Sequence, residues 1–337
     1  LPSTETLLAL AMLTAFVLYA LLGGADFGGG VWDLLASGPR KEAQRALIAR
    51  AIGPVWEVNH VWLIAGVVLL FSAFPRAFAA LSVALHVPLT LLLIGIVLRG
   101  SAFTFRAYDA RGDAVQRRWG RMFSTASVIA PALLGMCVGA VASGGIRLRE
   151  GIVVSGFFAA WTSPFALATG ALALALFAFL AAVYLSAEAE EPALAEDFRR
   201  RALASGAALF VAAFAVLLLA RTGAPRLWAG LVHAPFALAL HAATAVAALA
   251  AFGLLLRRRF HAARAAAAAQ GALIVVGWAA SQHPYLVEGA LTLQEAAAGE
   301  ATQRALLWVL LAAVLVTLPC LLLLYRVFGR GALRGMG

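Results

Sequence analysis

The chain has 337 residues, 63% of them hydrophobic and only 12% charged, and its mean hydropathy is +0.92. No soluble globular domain of this size is so apolar; the composition marks an integral membrane protein. A formal charge of +10 invites a nucleic-acid reading, which the placement of the charges excludes.

Apolar stretches run at 6–25, 55–74, 77–98, 123–142, 161–185, 202–220, 227–256, 265–281 and 305–328. Each is long enough, or nearly so, to cross a hydrocarbon core of ~30 Å at ~1.5 Å per residue. The first has no basic region before it and ends in GGADFGGG, so it is expected to be a span and not a secretory signal. Gly24 and Gly28 in that run form a G-x-x-x-G. Such a pair permits close backbone approach of another helix, which would hold Asp26 against protein and away from lipid. The second stretch opens GPVWEVNHVWLI and sets Glu57, Asn59 and His60 between Trp56 and Trp62. The 265–281 stretch is the least regular, being Ala-rich with Gln270 inside it. Cys137 and Cys320 fall within apolar helices and are expected to be small core residues.

If residue 1 lies outside and the spans alternate, the inner segments 33–54, 99–122, 186–201, 257–264 and 326–337 hold 20 Lys/Arg and the outer ones six. That asymmetry places the N-terminus outside and the C-terminus in the cytoplasm. The positive charge thus reports topology and implies no nucleic-acid partner.

Residues 75–81 read PRAFAAL and 225–231 read PRLWAGL, an offset of 150; His86-Val87-Pro88 is echoed by His233-Ala234-Pro235 at 147. The fold class expected is an all-α integral membrane protein with about nine transmembrane helices, arranged as two parallel four-helix repeats plus one peripheral C-terminal helix. The corresponding division is 1–160 for the first bundle, 161–300 for the second, and 301–337 for the ninth helix and tail. An even number of helices per repeat keeps both halves in the same sense, unlike the inverted repeats of many transporters.

Asp26 and Glu57 both fall near the cytoplasmic edge of the hydrocarbon layer, on consecutive helices. His60, three residues past Glu57, shares its helix face and lies about 4.5 Å deeper. A carboxylate followed inward by an imidazole suits proton uptake, since burial raises a carboxyl pKa toward neutrality and an imidazole titrates nearby. Equally, Glu57 can be an interfacial group that pairs with Arg99 or Arg50. His86 and His233 each precede a proline by two residues, so capping of freed carbonyls competes with haem ligation and is the expected role. A membrane transporter with parallel four-helix repeats is the alternative function; it would need polar groups near the midplane in both halves.

The segments GADFGGG, GPVWEVNHVWLI with AFP after it, LRGSAFTFRAYD, VYLSAE, HPYLVEGALTLQEAA at 283–297 and LPCLLLLYRVFGR at 318–330 resemble, in order, subunit II of cytochrome bd-type quinol oxidases. The likeness runs from about residue 20 to 330, and its shorter, cyanide-insensitive-like branch is the nearer. It implies a non-haem subunit of a complex that oxidises quinol and reduces dioxygen to water, sited in the bacterial inner membrane as a multi-pass protein. Haems b and d, or b only, would belong to the homologous subunit I, with none bound by this chain alone. Small single-helix accessory subunits, membrane lipid and quinone are the other implied partners. Glu57 matches the family's acidic residue implicated in proton delivery, and Trp62 a tryptophan near a proposed oxygen access; Trp56 and Asn59 share that motif as oxygen-access or interface candidates. Arg99 and Arg106 match structural basic positions. Where many relatives read Asp-Gly-Phe-Asp this chain reads Gly23-Gly24-Ala25-Asp26, so the first acid is absent, and His60 stands where Gln or Glu is frequent. The proton route implied here is therefore Glu57, Asp26 and His60, rearranged around the missing acid.

Overall fold

The computed structural model describes residues 2–52, 56–108 and 112–331; the side chains at 56–58, 106–108, 112–114, 318, 321–322 and 324–331 lie outside the described residues. The chain is helical almost throughout. Its first part comprises α1 (Thr4–Leu34), α2 (Lys41–Ile52), α3 (Trp56–Ala73), α4 (Pro75–Ala84), α5 (His86–Tyr108) and α6 (Gly112–Ala142). After a small hairpin, β1 (Leu148–Arg149) with β2 (Ile152–Val153), come α7 (Pro164–Glu188), α8 (Pro192–Gly223), α9 (Pro225–His233), α10 (Ala237–Leu256) and α11 (Phe260–Gln282). A second hairpin, β3 (Tyr285–Val287) with β4 (Leu291–Thr292), leads through α12 (Leu293–Ala296) to α13 (Glu300–Gly331). Both hairpins are antiparallel. Four helices, α4, α7, α8 and α9, begin on proline, which is favoured there because the first turn leaves its N–H groups unbonded in any case.

Among the described residues, eight helices are long and apolar enough to cross a membrane, or nine when a bent pair counts as one span. The bent pair is α3 and α4, which turn through 115° at Phe74. Here the structure corrects the expected spans: 77–98 is not one rod, because α4 lies across the end of α3 and the next span starts at His86. The expected 227–256 stretch breaks likewise into α9 and α10. Pro75 and Pro225 open α4 and α9 and explain the corners after α3 and α8, since a proline cannot continue the preceding helix. The residues before them, Phe74 (φ −132°, ψ 58°) and Ala224 (φ −152°, ψ 67°), share one non-helical conformation and are fully buried. The segment expected as an inner linker, 33–54, contains α2, which buries Gln44, Leu47, Ile48 and Ile52 as a single stripe. Cys137 is buried as expected, whereas Cys320 is exposed on α13, whose described side chains point mostly outward.

The core runs through both parts of the chain. Phe27, Phe123, Phe177, Phe179 and Phe198 are buried in one cluster that joins α1, α6, α7 and α8. At one end, the two Pro-Arg corners grip the 283–299 segment: Arg76 Nη1 donates to the Glu295 carbonyl at 2.8 Å, and Arg226 reaches the Glu288 carboxylate at 3.3 Å. Within that segment Thr292 and Glu295 form a capping box, in which the Glu295 carboxylate accepts the Thr292 N–H at 2.9 Å and its hydroxyl at 2.8 Å. These bonds hold the Glu295 carboxyl below its ordinary 4.5. A lowered folded-state value stabilises above the ordinary one and is lost as pH falls through it. Hydrogen exchange at residues 292–296, relative to intrinsic rates, is therefore expected to speed up as pH is lowered from neutral to about 3. Unaltered protection over that range would disprove the cap's contribution.

Candidate functional site

The glycine-rich end of α1 sets the site. A Cβ on Gly24 would meet the Phe177 ring at 2.5 Å, and one on Gly28 would overlap the Phe177 carbonyl itself. Backbone thus lies on backbone between α1 and α7, as the G-x-x-x-G spacing predicts. Trp32, one turn further, donates its indole N–H to the Ala178 carbonyl at 2.8 Å and closes the same contact.

With α1 fixed in this way, Asp26 is turned inward toward α5 and α6. Asp26 is 3% exposed and Arg99 2%. Arg99 Nη2 donates to Asp26 Oδ1 at 2.6 Å and to the Asp26 carbonyl at 3.1 Å, while its Nε donates to Ser127 Oγ at 2.9 Å. The guanidinium also sits 4.7 Å from the Phe27 ring and 5.0 Å from Phe123. Two aromatic rings and a charged acceptor close by suit a planar, delocalised cation. Of the two arginines open to Glu57 in the sequence, Arg99 pairs with Asp26 and Arg50 reaches Glu190 at 3.7 Å; whether either also meets Glu57 lies outside the described residues.

His60 enters from α3. Its ring centroid is 6.0 Å from Tyr19 and 6.1 Å from Phe27, edge-on to both. Asn59, next to it and 5% exposed, donates to the Leu22 carbonyl at 3.3 Å and ties α3 to α1. Trp62 is half-buried against the core. Glu57 and Trp56 belong to the first turn of α3 and Arg106 to the last turn of α5, and the side chains of all three lie outside the described residues. On its other side His60 lines a largely apolar groove of about 630 Å³ between α3 and α5, with Leu63, Leu93, Ile96, Ser101 and Phe105.

One buried acid escaped the sequence reading. Asp33, 1% exposed, accepts a hydrogen bond from Ser124 Oγ at 2.7 Å, and Arg45 Nε lies 3.8 Å from its carboxylate. A signal existed, since Asp33 follows Asp26 by seven residues, two helical turns, and so shares its face. The two acids make a column on α1 that faces the serines of α6.

Two histidines away from this site meet backbone carbonyls. His86 Nδ1 lies 3.0 Å from the Val83 carbonyl with its ring against Phe157, and His241 Nε2 lies 2.8 Å from the Leu231 carbonyl. Among the described residues, no three His, Cys, Asp or Glu side chains are grouped to hold a metal ion.

The family model for cytochrome bd terminal oxidase subunit II matches residues 4–328. The chain belongs to that family. This subunit II chain is 28% identical over 236 residues to a Bacillus subtilis (strain 168) protein provisionally named a cytochrome bd menaquinol oxidase subunit II, covering 68% of this chain and 67% of the other. It is 26% identical over 174 residues to subunit 2 of the cytochrome bd-I ubiquinol oxidase of Escherichia coli (strain K12), covering 50% of this chain and 44% of that one. The fold matches a chain of the solved bd oxidase of Geobacillus thermodenitrificans with a TM-score of 0.81 at 22% identity, over 96% of this chain and 98% of that chain. Subunit II is thus a multi-span membrane component of an oxidoreductase complex, and the Asp26–Arg99 pair lies inside it.

Proposed function

We propose that this subunit II supplies cytoplasmic protons to a quinol-oxidising, dioxygen-reducing complex and completes that complex's fold. The observation that carries the reading is the buried Asp26–Arg99 pair beside His60, one helix away from the turn of α3 that bears Glu57. Reduction of dioxygen to water consumes a proton for each electron, so a path through the membrane must deliver them. Ionisable groups inside a membrane are costly, on the order of 2.5–3.5 kcal/mol each on insertion scales, and are retained where they do work. Glu57 would take up protons at the inner mouth, and His60 and Asp26 would pass them inward. Arg99 compensates the Asp26 charge without leaving its own aromatic cage. Asn59 holds the first turn of α3 on α1, and so keeps His60 at its place beside Phe27.

Haem chemistry would belong to the homologous subunit I, and the bond of His86 to the Val83 carbonyl fits the capping role expected of it. The open groove beside His60 is the natural face toward that partner, with Trp62 and Trp56 as oxygen-access or interface residues. Single-helix accessory subunits, lipid and quinone would complete the assembly, in the bacterial inner membrane with the N-terminus outside. The matching Pro-Arg corners at α4 and α9 support a division into parallel bundles at 1–160 and 161–300, with the ninth helix and tail at 301–337.

In the purified complex, Glu57→Gln is expected to slow oxygen consumption by roughly 10²-fold, the lower end of what a positioned proton donor contributes, with haem content and assembly unchanged. Turnover at the wild-type rate would remove Glu57 from the path.

A further inference from the structure

The column of polar groups on α1 does not stop at Asp26. Tyr19 lies seven residues toward the N-terminus, two turns along the same face and about 10 Å further into the membrane. Its side chain is 3% exposed. Its ring lies against Gly23, where an added Cβ would come within 2.7 Å of it, so glycine at 23 is what leaves room for the ring. Two oxygen atoms on this face, Tyr19 Oη and Asp26 Oδ2, are buried with no hydrogen-bond partner among the described residues. Tyr19 is within electrostatic reach of both Asp26 and Arg99. A buried polar atom left unbonded is costly, and ordered water is the usual partner of such atoms.

We propose that Tyr19 is a further positioning residue of the proton route: through ordered water its hydroxyl carries the hydrogen-bonded line from Asp26 past His60 toward the middle of the membrane. The inference rests on the proton-supply reading above and extends it by one residue. The phenol accepts a proton on its oxygen from the water on one side as it releases its own to the water on the other, and stays neutral before and after. At this level of α1 the hydroxyl supplies the polar group that Gly23 cannot. The edge-on contact with His60 fixes the ring, so the hydroxyl is held and not free to swing.

The test uses the intact complex in mild detergent, with Tyr19→Phe and Tyr19→His compared with wild type and with Glu57→Gln. Tyr19→Phe keeps the ring on Gly23 and removes only the oxygen. Its expected result is full haem content and an unchanged quinol KM. Oxygen consumption at saturating quinol should fall on the order of tenfold, less than for removal of a full proton donor because water can partly bridge the gap. The solvent deuterium isotope effect on turnover should change as well, which a packing role would not produce. Tyr19→His restores a ring that accepts and donates and is expected to recover most of the rate. Wild-type turnover and isotope effect in Tyr19→Phe, beside a slow Glu57→Gln, would overturn the role of Tyr19 and leave the proton route standing. Wild-type turnover in both would overturn the proton-supply reading itself. Should Tyr19→Phe fail to assemble, Tyr19→His decides: near wild-type turnover supports the relay, and an assembled complex as slow as Glu57→Gln overturns it.

Discussion

Asp26→Asn is expected to destabilise the folded complex by about 3–5 kcal/mol, because it leaves the buried Arg99 charge without its carboxylate. Arg99 is 2% exposed, packs on Phe27 and Phe123, and among the described residues would keep Ser127 Oγ, the backbone carbonyl of residue 26 and the neutral amide as acceptors. Thermal unfolding in detergent and the yield of assembled complex report the loss. Removing both charges with Asp26→Leu/Arg99→Met should recover most of the stability, since an apolar pair of similar volume often matches a buried ion pair or improves on it. The same double variant separates structure from function. If it is stable but slow in oxygen reduction, the pair serves proton supply; if it turns over normally, the pair is a structural tie alone. A single Asp26→Asn variant that melts with the wild type would show that the pair is not the strong contact its geometry implies.

Gly28→Val is expected to abolish stable folding of the chain. Overpacking usually costs about 1–3 kcal/mol, and more where the obstacle cannot move. Here the obstacle is the Phe177 backbone carbonyl with Ala181 behind it, so α1 and α7 would have to separate. Separation would also pull Trp32 from the Ala178 carbonyl and shift Asp26 away from Arg99. A control lies on α10, where a Cβ on Gly253 meets nothing within 4 Å. Gly253→Ala should be neutral or stabilising by about 0.4–1 kcal/mol, through reduced freedom of the unfolded chain. Equal expression and melting of Gly28→Val and Gly253→Ala would refute the close contact of α1 with α7.

Much of the site was legible in the linear chain. A carboxylate at the end of an apolar run flanked by glycines marked Asp26 as held by protein, and the structure gives Gly24 and Gly28 that packing role. Arg99 was marked as a structural basic residue at the inner end of a span and as a partner open to Glu57, and its pairing with Asp26 was not foreseen. Asp33 was passed over because it stands at the end of the run, where an acid reads as interfacial. Tyr19 drew no attention because a lone tyrosine in an apolar helix is more often packing than chemistry.

The sequence by itself determined the membrane class, the approximate number of spans, the repeated Pro-Arg motifs, and the glycine pair that brings two backbones together. Those properties are local: hydropathy adds up over about 20 residues, and a proline or glycine acts where it stands. Only the tertiary structure decided that Arg99 meets Asp26 across 73 positions, that Asp33 meets Ser124 across 91, and that Cys320 is exposed while Cys137 is buried. Such pairings depend on how far each helix is turned about its axis. With about 3.6 residues per turn, one residue of error swings a side chain by about 100° and away from its partner. The rotation of α1 is set by the glycines seated on α7, and from that contact Asp26 and Tyr19 take their direction.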